Sequence, residues 1–463
     1  MKRKYYIRAV LSLLTMTAVV AACTQSYPTL VYEGEPQGNL DGLNNDVLSS
    51  KTPIMMFVNP QDFFSISATR GSGPFPPADL SKYQDGTIYV YAFRSDYNVQ
   101  GSVLNYLPDF TKTAYAEGYP HDTDFADCLL DGKDYYYGVP TKLMPESSGQ
   151  LITSYHFEDN VLKFGNDLGQ SYYYSNVYQE TPYNFFAYYL DDAEVLGKHR
   201  EADKIWYDLE IDGTQDIMCG GTPDFNKNLE TRYSTQYEKL SDAEKNTIRN
   251  IGGFSKFAAD RDIPPYIDMK HKLTRLEFLA YPADTAAHNL IITDIKINTT
   301  PRCKLTVAAR DTSEVGIEFD KNIRRSLPLR MDNPPDVMGN YRGYIVDIKP
   351  EERDKKTWQE RTPVQIGENI ILPSDTVYDI DITIAQRVKT TSTTDSLAKY
   401  TSPKKLRLEL KPGEQTRWFE PGKIYTIHMA VYGRKEIEVY TSIKDWLPGD
   451  DVWVDDDEDE FYR

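Results

Sequence analysis

Thr87-Ile88-Tyr89-Val90-Tyr91-Ala92-Phe93 sets Ile88, Val90 and Ala92 on one side of an extended chain and Tyr89, Tyr91 and Phe93 on the other. A two-residue period marks a β-strand, because successive side chains point to opposite faces. The same alternation returns at Ile205/Tyr207/Leu209/Ile211, Ile380/Ile382/Ile384, Leu406/Leu408/Leu410 and Tyr425/Ile427/Met429/Val431. Arg407, Glu409 and Lys411 separate or follow the leucines and give that strand one wet face. Clean alternation belongs to antiparallel sheets, since strands of parallel sheets are buried on both faces and read as continuous apolar runs.

Helical signals are sparse by comparison. Ser241-Asp242-Ala243-Glu244 fits a capping box and Gly252-Gly253 a stop, which predicts one short helix in a connection. Turn pairs at Asp85-Gly86, Asp212-Gly213, Pro412-Gly413 and Pro421-Gly422 punctuate the strands. The pattern predicts an all-β chain of two antiparallel β-sandwich domains in series. Ile263-Pro264-Pro265 marks the expected boundary, because consecutive prolines cannot continue a ladder. Just beyond it Ile267, Met269, His271 and Leu273 share one parity while Leu276, Phe278 and Ala280 share the other, which predicts a β-bulge near Thr274.

The 463 residues carry 52 Lys+Arg against 70 Asp+Glu, a net charge of −18. A pI near 4.9 argues against nucleic acid as a partner, since phosphate neutralisation needs clustered cations. Lys2, Arg3, Lys4 and Arg8 precede the apolar stretch Ala9–Ala22, which ends Val20-Ala21-Ala22-Cys23. This reads as a secretory signal peptide over 1–22. Its ending resembles a bacterial lipobox, making Cys23 the lipid-bearing first residue of the exported chain and outer-membrane lipid its anchor. Loss of the leader removes four of the 52 cations and no acid, leaving 48 against 70, a net −22. The predicted organisation is then a tether over 23–51, a first sandwich over 52–262, a second over 263–449 and an acidic tail over 450–463. Cys128, Cys219 and Cys303 show no metal-ligand spacing; they read as small buried hydrophobes, with closure of one pair as the alternative.

Several segments together resemble the fimbrillins, the type V pilins of Bacteroidetes. They are the lipobox at Cys23, Thr69-Arg70-Gly71-Ser72-Gly73 before the first strand, Tyr183-Asn184-Phe185-Phe186-Ala187-Tyr188-Tyr189, Gln215-Asp216-Ile217-Met218, the run Lys270–Phe278, Pro421-Gly422-Lys423-Ile424-Tyr425, and Ile443-Lys444-Asp445-Trp446. The resemblance implies tandem transthyretin-like, Greek-key sandwiches, a cell-surface fimbrium at the outer membrane and a role in adhesion. Its partners would be other pilus subunits, either copies of this chain or paralogues, and an Arg-specific maturation protease. In that family the protease removes an N-terminal strand and a neighbouring subunit donates a replacement. The physical basis is general: a vacated central strand leaves unpaired backbone edges and an open core, and a donated strand satisfies both. Donor and groove lie on different faces, so the contact does not close and a filament results.

The cleavage maps onto Arg70, before Gly71. The plug-strand candidates ahead of it are Ile54, Met56, Phe57 and Val58, then Phe64 and Ile66. At the other end, eight of the 17 residues after Trp446 are acidic. Only Val452, Trp453 and Val454 offer donor anchors there, so the tail reads either as a short donor or as a solvated end on an accessory or anchor subunit.

Enzyme signatures do not hold up: the six histidines show no HExxH or similar spacing, and Gly-x-Ser-x-Gly and P-loop motifs are missing from the sequence. No metal or cofactor is expected. His271 reads as a core or interface residue. The rival reading is a surface glycan-binding lipoprotein, in which tyrosines at 135–137, 172–174 and 188–189 supply exposed stacking platforms. Packed rings with wet hydroxyls are the simpler account of those clusters.

Overall fold

The computed structural model describes residues 52, 54–58, 87–95, 97–98, 105–111, 128–130, 138–144, 160–164, 174, 179–283, 290–331, 336–338, 341–389, 396–400, 404–409, 418–432 and 437–445. All of them lie within one compact unit, Thr52–Arg463. The chain is all-β in two sandwich-like halves, and the first half is built on a sheet that closes.

Seven strands form the ring. Starting from Met56–Val58 it passes through Asn160–Phe164, Val139–Met144, Ile88–Arg94, Tyr183–Tyr189, Met218–Gly221 and Tyr266–His271, then returns to Met56–Val58. Ile88–Arg94 bonds Tyr183–Tyr189 along one edge and shares its other edge between Val139–Met144 and a short strand, Cys128–Leu130. Closure is possible because the strands alternate small and large inward residues: Val90, Ala92 and Ala187 leave room for Phe185, Tyr183 and Met269. Gly220 lies so close to Asp268 that a Cβ there would overlap its carbonyl, which lets Met218–Gly221 press against Tyr266–His271.

Four short helices among the described residues, Phe225–Thr231, Ser234–Glu238, Asp242–Ile251 and Lys256–Ala259, fill the connection between the last two ring strands. Only Asp242–Ile251 was legible in advance, through its Ser241–Glu244 capping box and left-handed Gly252 (φ 65°). The helices also do more than connect: Phe225, Leu229, Tyr233, Tyr237, Ile248 and Ala258 join the barrel core. That corrects the expectation of a single connecting helix.

Outside the barrel a four-stranded sheet, in the order Gly316–Phe319, Arg302–Ala309, Lys204–Glu210, Glu194–Arg200, covers part of the wall. Ile205, Tyr207 and Leu209 face inward, as their alternation predicts, and meet Leu305 and Val307 beside Tyr91, Phe93, Phe186 and Tyr188 of the wall. A buried tyrosine triad joins the layers: the Tyr188 hydroxyl donates to that of Tyr207 (3.1 Å), and the Tyr91 and Tyr207 hydroxyls lie 2.9 Å apart. Cys128, Cys219 and Cys303 sit in this same core as free thiols, and burial pushes Cys303 up to about 12.

The second half packs a five-stranded sheet around Thr274–Pro282 and Lys423–Val431 against a six-stranded sheet around Leu290–Thr299 and Val377–Lys389. Most pairings are antiparallel. The exceptions are Met56–Val58 with Tyr266–His271 and Thr274–Pro282 with Lys423–Val431, both parallel. The division at 263 needs correction, because Tyr266–His271 belongs to the barrel and Arg302–Phe319 returns to the sheet of Lys204–Glu210. The phase change near Thr274 is likewise not a bulge. Tyr266–His271 ends in the barrel, Lys272 donates its N–H to Ile217 O (2.9 Å), and Thr274 begins a strand in the other half, so the parity flips where the chain changes sheets.

The loop after Pro350 clasps the far edge of that half. Trp358 packs edge-on against Tyr281, and Arg361 donates to the Pro282 carbonyl. Glu352 organises the loop. Burial acts to raise its carboxyl, but hydrogen bonds from the Thr362 hydroxyl and N–H, with Lys355, outweigh that and hold it down to about 2. A value below the ~4.3 of a free glutamate means stabilisation that is full above that range and lost as pH falls from about 4.3 to about 2. The stability difference between wild type and Glu352→Gln should therefore be largest above pH 5 and shrink toward pH 2, followed by tryptophan fluorescence in denaturant titrations. In the first half, Tyr207→Phe should cost about 1–3 kcal/mol by removing the hydroxyl that those of Tyr91 and Tyr188 meet, read as a shift of the denaturation midpoint at constant slope.

Candidate functional site

The plug-strand candidates that the structure describes are Ile54, Met56, Phe57 and Val58; the last three form a strand of the ring wall, and Ile54 lies just ahead of it. Met56, Phe57 and Val58 oppose Leu162, Val161 and Asn160 in an antiparallel ladder on one side. On the other side Phe57 and Val58 oppose Tyr266 and Ile267 in parallel, and the Phe57 N–H donates to Pro265 O (3.0 Å). Ile54 (4% exposed), Met56 (0%) and Val58 (0%) point into the barrel core beside Ile267 and Met269. Phe57 packs on the opposite face with Tyr266 and Met55, and the Arg232 guanidinium lies 3.5 Å from the centre of the Tyr266 ring.

The approach to this strand is fastened by groups that sequence reading did not single out. The Thr52 carbonyl accepts from the Tyr174 N–H (3.1 Å), and the Thr52 hydroxyl donates to Asp260 Oδ1. The other Asp260 oxygen accepts from Lys256 Nζ at 2.7 Å, a lysine whose side chain is only 5% exposed. The i, i+4 spacing of Lys256 and Asp260 was visible as a helix-face pair, but nothing local says that a threonine 208 residues earlier completes it. Tyr174 lies in the same core, and burial, aided by the fields of Tyr183, Tyr233 and Asp260, pushes its phenol well up.

Four segments quoted for the family resemblance converge between the halves. His271 Nδ1 sits 2.9 and 2.8 Å from the two Asp216 oxygens, with both side chains buried. The Asp216 N–H donates to Asp191, which also accepts from the Tyr189 hydroxyl (2.8 Å). The Gly422 N–H donates to Leu273 O (2.9 Å), and the Thr274 hydroxyl donates to Glu420 O (2.8 Å). His271 is thus an interface histidine, as expected from its strand pattern. Among the described residues no group of three or more His, Cys, Asp or Glu gathers as a metal site.

The tyrosine platforms fare differently. Tyr174, Tyr188 and Tyr189 are buried, in line with the packed-ring account and against the rival account of exposed sugar-stacking platforms at these positions. Tyr135–Tyr137, Tyr172 and Tyr173 lie outside the described residues, as do Cys23, Phe64, Ile66, Arg70, Gly71, Val452, Trp453 and Val454.

Chemically, the opening strand completes a sheet that has no edge there. Taking it out would expose the N–H and C=O groups of Asn160–Phe164 and Tyr266–His271 and empty three apolar positions of the core. Met56→Ala should lower unfolding stability by about 2–5 kcal/mol, whereas Leu196→Ala, at a side chain left 45% exposed, should stay within about 0.5 kcal/mol; denaturant titration separates them.

No protein-family model and no curated protein matches the sequence. Solved structures align over most of its length at low identity. A Bacteroides uniformis protein assigned to cell adhesion is 12% identical over 86% of this chain and 98% of its own, with a TM-score of 0.39. A Bacteroides ovatus protein with the same assignment is 10% identical over 86% and 99%, with a TM-score of 0.35. The fimbrial anchor protein Mfa2 from Porphyromonas gingivalis is 11% identical over 85% and 98%, with a TM-score of 0.29.

Proposed function

We propose that the chain is a structural or accessory subunit of a cell-surface fimbria, assembled by protease-triggered strand exchange and contributing to adhesion. The observation that carries this reading is the place of Met56–Val58: an interior barrel strand, laddered on both sides and buried on both faces, yet only three residues long and supplied from the start of the compact unit. A strand that closes a barrel is normally integral to it; here it precedes the segment that carries Arg70 and Gly71, where one cut would separate it covalently from the rest.

In this reading Cys23 carries the lipid that holds the exported chain at the outer membrane. An Arg-specific protease cuts after Arg70, and the segment holding Ile54, Met56, Phe57, Val58, Phe64 and Ile66 leaves. A strand from another subunit then restores the ladders and the core. The partners are other pilus subunits, and Val452, Trp453 and Val454 are the anchors this chain itself would offer as a donor.

The test is to compare wild type with Arg70→Ala in cells, sequencing the N-terminus of surface material and running unheated gels. Wild type should begin at Gly71 and give heat-resistant high-molecular-weight ladders, and Arg70→Ala should begin at Cys23 and give none. A wild-type chain that enters fibres while still beginning at Cys23 would rule the mechanism out.

A further inference from the structure

We infer that the slot now filled by residues 52–58 selects a strand from a different protein and rejects this chain's own C-terminal tail. The inference rests on the strand-exchange reading above and names the partner that reading leaves open.

The slot sets three conditions. It needs apolar side chains at three alternating positions, those of Ile54, Met56 and Val58, all facing the barrel core. It takes a bulky apolar group at the position of Phe57, against Tyr266. Two residues ahead of Ile54 it offers the Asp260 carboxylate, which accepts from the Thr52 hydroxyl and is held on its far side by the buried Lys256. Asp260 lies at the solvent-facing entrance, so a donor there favours an incoming strand modestly, and the buried positions set the main selection.

The tail meets only the second condition. Trp453 suits the place of Phe57, with Val452 and Val454 in those of Met56 and Val58. That register puts Asp450 where Ile54 is buried and Pro448, which has no hydroxyl or N–H, where Thr52 donates. Sliding by two residues exchanges Asp450 for Asp456 at an interior position, and turning Trp453 inward brings in Asp451 and Asp455. From Trp446 to Arg463 every alternating triplet contains at least one Asp or Glu, and reversing the strand direction leaves that unchanged. A carboxylate at an interior site must give up water, and the buried lysine at the slot entrance, Lys256, is already paired with Asp260. The partner is therefore an extended segment of another chain, with three alternating aliphatic or aromatic side chains and a Ser, Thr, Asn or Gln two positions before the first.

The experiment uses the exported chain 23–463, nicked after Arg70 with an Arg-specific protease, and a fluorescein-labelled peptide of residues 52–66 whose uptake is followed by polarisation. Unlabelled 52–66 should compete fully. The tail peptide 446–460 should compete about 100-fold more weakly or not at all, and the same peptide carrying Pro448→Thr and Asp450→Ile should recover at least about tenfold. Competition by the unmodified tail within about tenfold of 52–66, or ladders formed by the nicked protein alone, would overturn the selectivity while leaving strand exchange intact. If the labelled 52–66 peptide is never taken up, strand exchange itself fails and the inference falls with it.

Discussion

A closed sheet has no edge to protect, and that topological fact governs the first half of this molecule. Seven strands return on themselves, so their backbone groups find partners within the ring and the apolar interior is sealed at once from all sides. The seam where this closure is thinnest is Met56–Val58, three residues against partners of five and six. Its hold comes less from ladder length than from what surrounds it: three fully packed side chains on the inside, Phe57 against Tyr266 outside, and the Thr52–Asp260–Lys256 fastening at its entrance. A short strand held by end contacts and side-chain burial relies on few backbone bonds of its own. Long two-sided ladders, such as that of Val377–Lys389, hold their strand through many more.

The remaining structure braces the barrel around that seam. The outer four-stranded sheet draws two strands from each side of the proline boundary, so the halves are joined by continuous hydrogen bonding as well as by contact. Between wall and outer sheet the aromatic rings stack in register, Tyr89 on Tyr188 at 5.5 Å and Phe93 on Phe110 at 4.0 Å, while the tyrosine hydroxyls satisfy one another. The Asp216–His271 pair fills the buried angle at which the chain leaves the barrel for the second sandwich. Burying that much polar chemistry is tolerable only because nearly every group has a partner, and the result is a fixed geometry between the strands flanking the crossover.

The legible and illegible parts divide by range. The alternation at Ile205/Tyr207/Leu209 and at Tyr425/Ile427/Met429/Val431 named both the strands and their inward faces, because one pleated surface is read two residues at a time. The capping box at Ser241 worked for the same reason. The Ile88–Arg94 strand shows where such reading thins out: its two apolar faces were seen, but one lines a barrel and the other supports a second layer, a distinction no local pattern carries. Helices at Phe225–Thr231 and Lys256–Ala259 were missed because they are short and their apolar residues serve a distant core.

By itself the sequence determined the strand-rich class, the inward-facing residues of the long strands, the acidic balance and the presence of an apolar segment ahead of Arg70, since each depends on composition or on neighbours a few positions apart. Only the tertiary structure decided that this segment closes a ring, that Thr52 reaches Asp260, that the parity change near Thr274 is a passage between sheets, and that Tyr188 and Tyr189 are interior. Those outcomes depend on which strands meet across 100 or 200 residues, and pairing at that distance is settled by the packing of the whole core and not by any local preference.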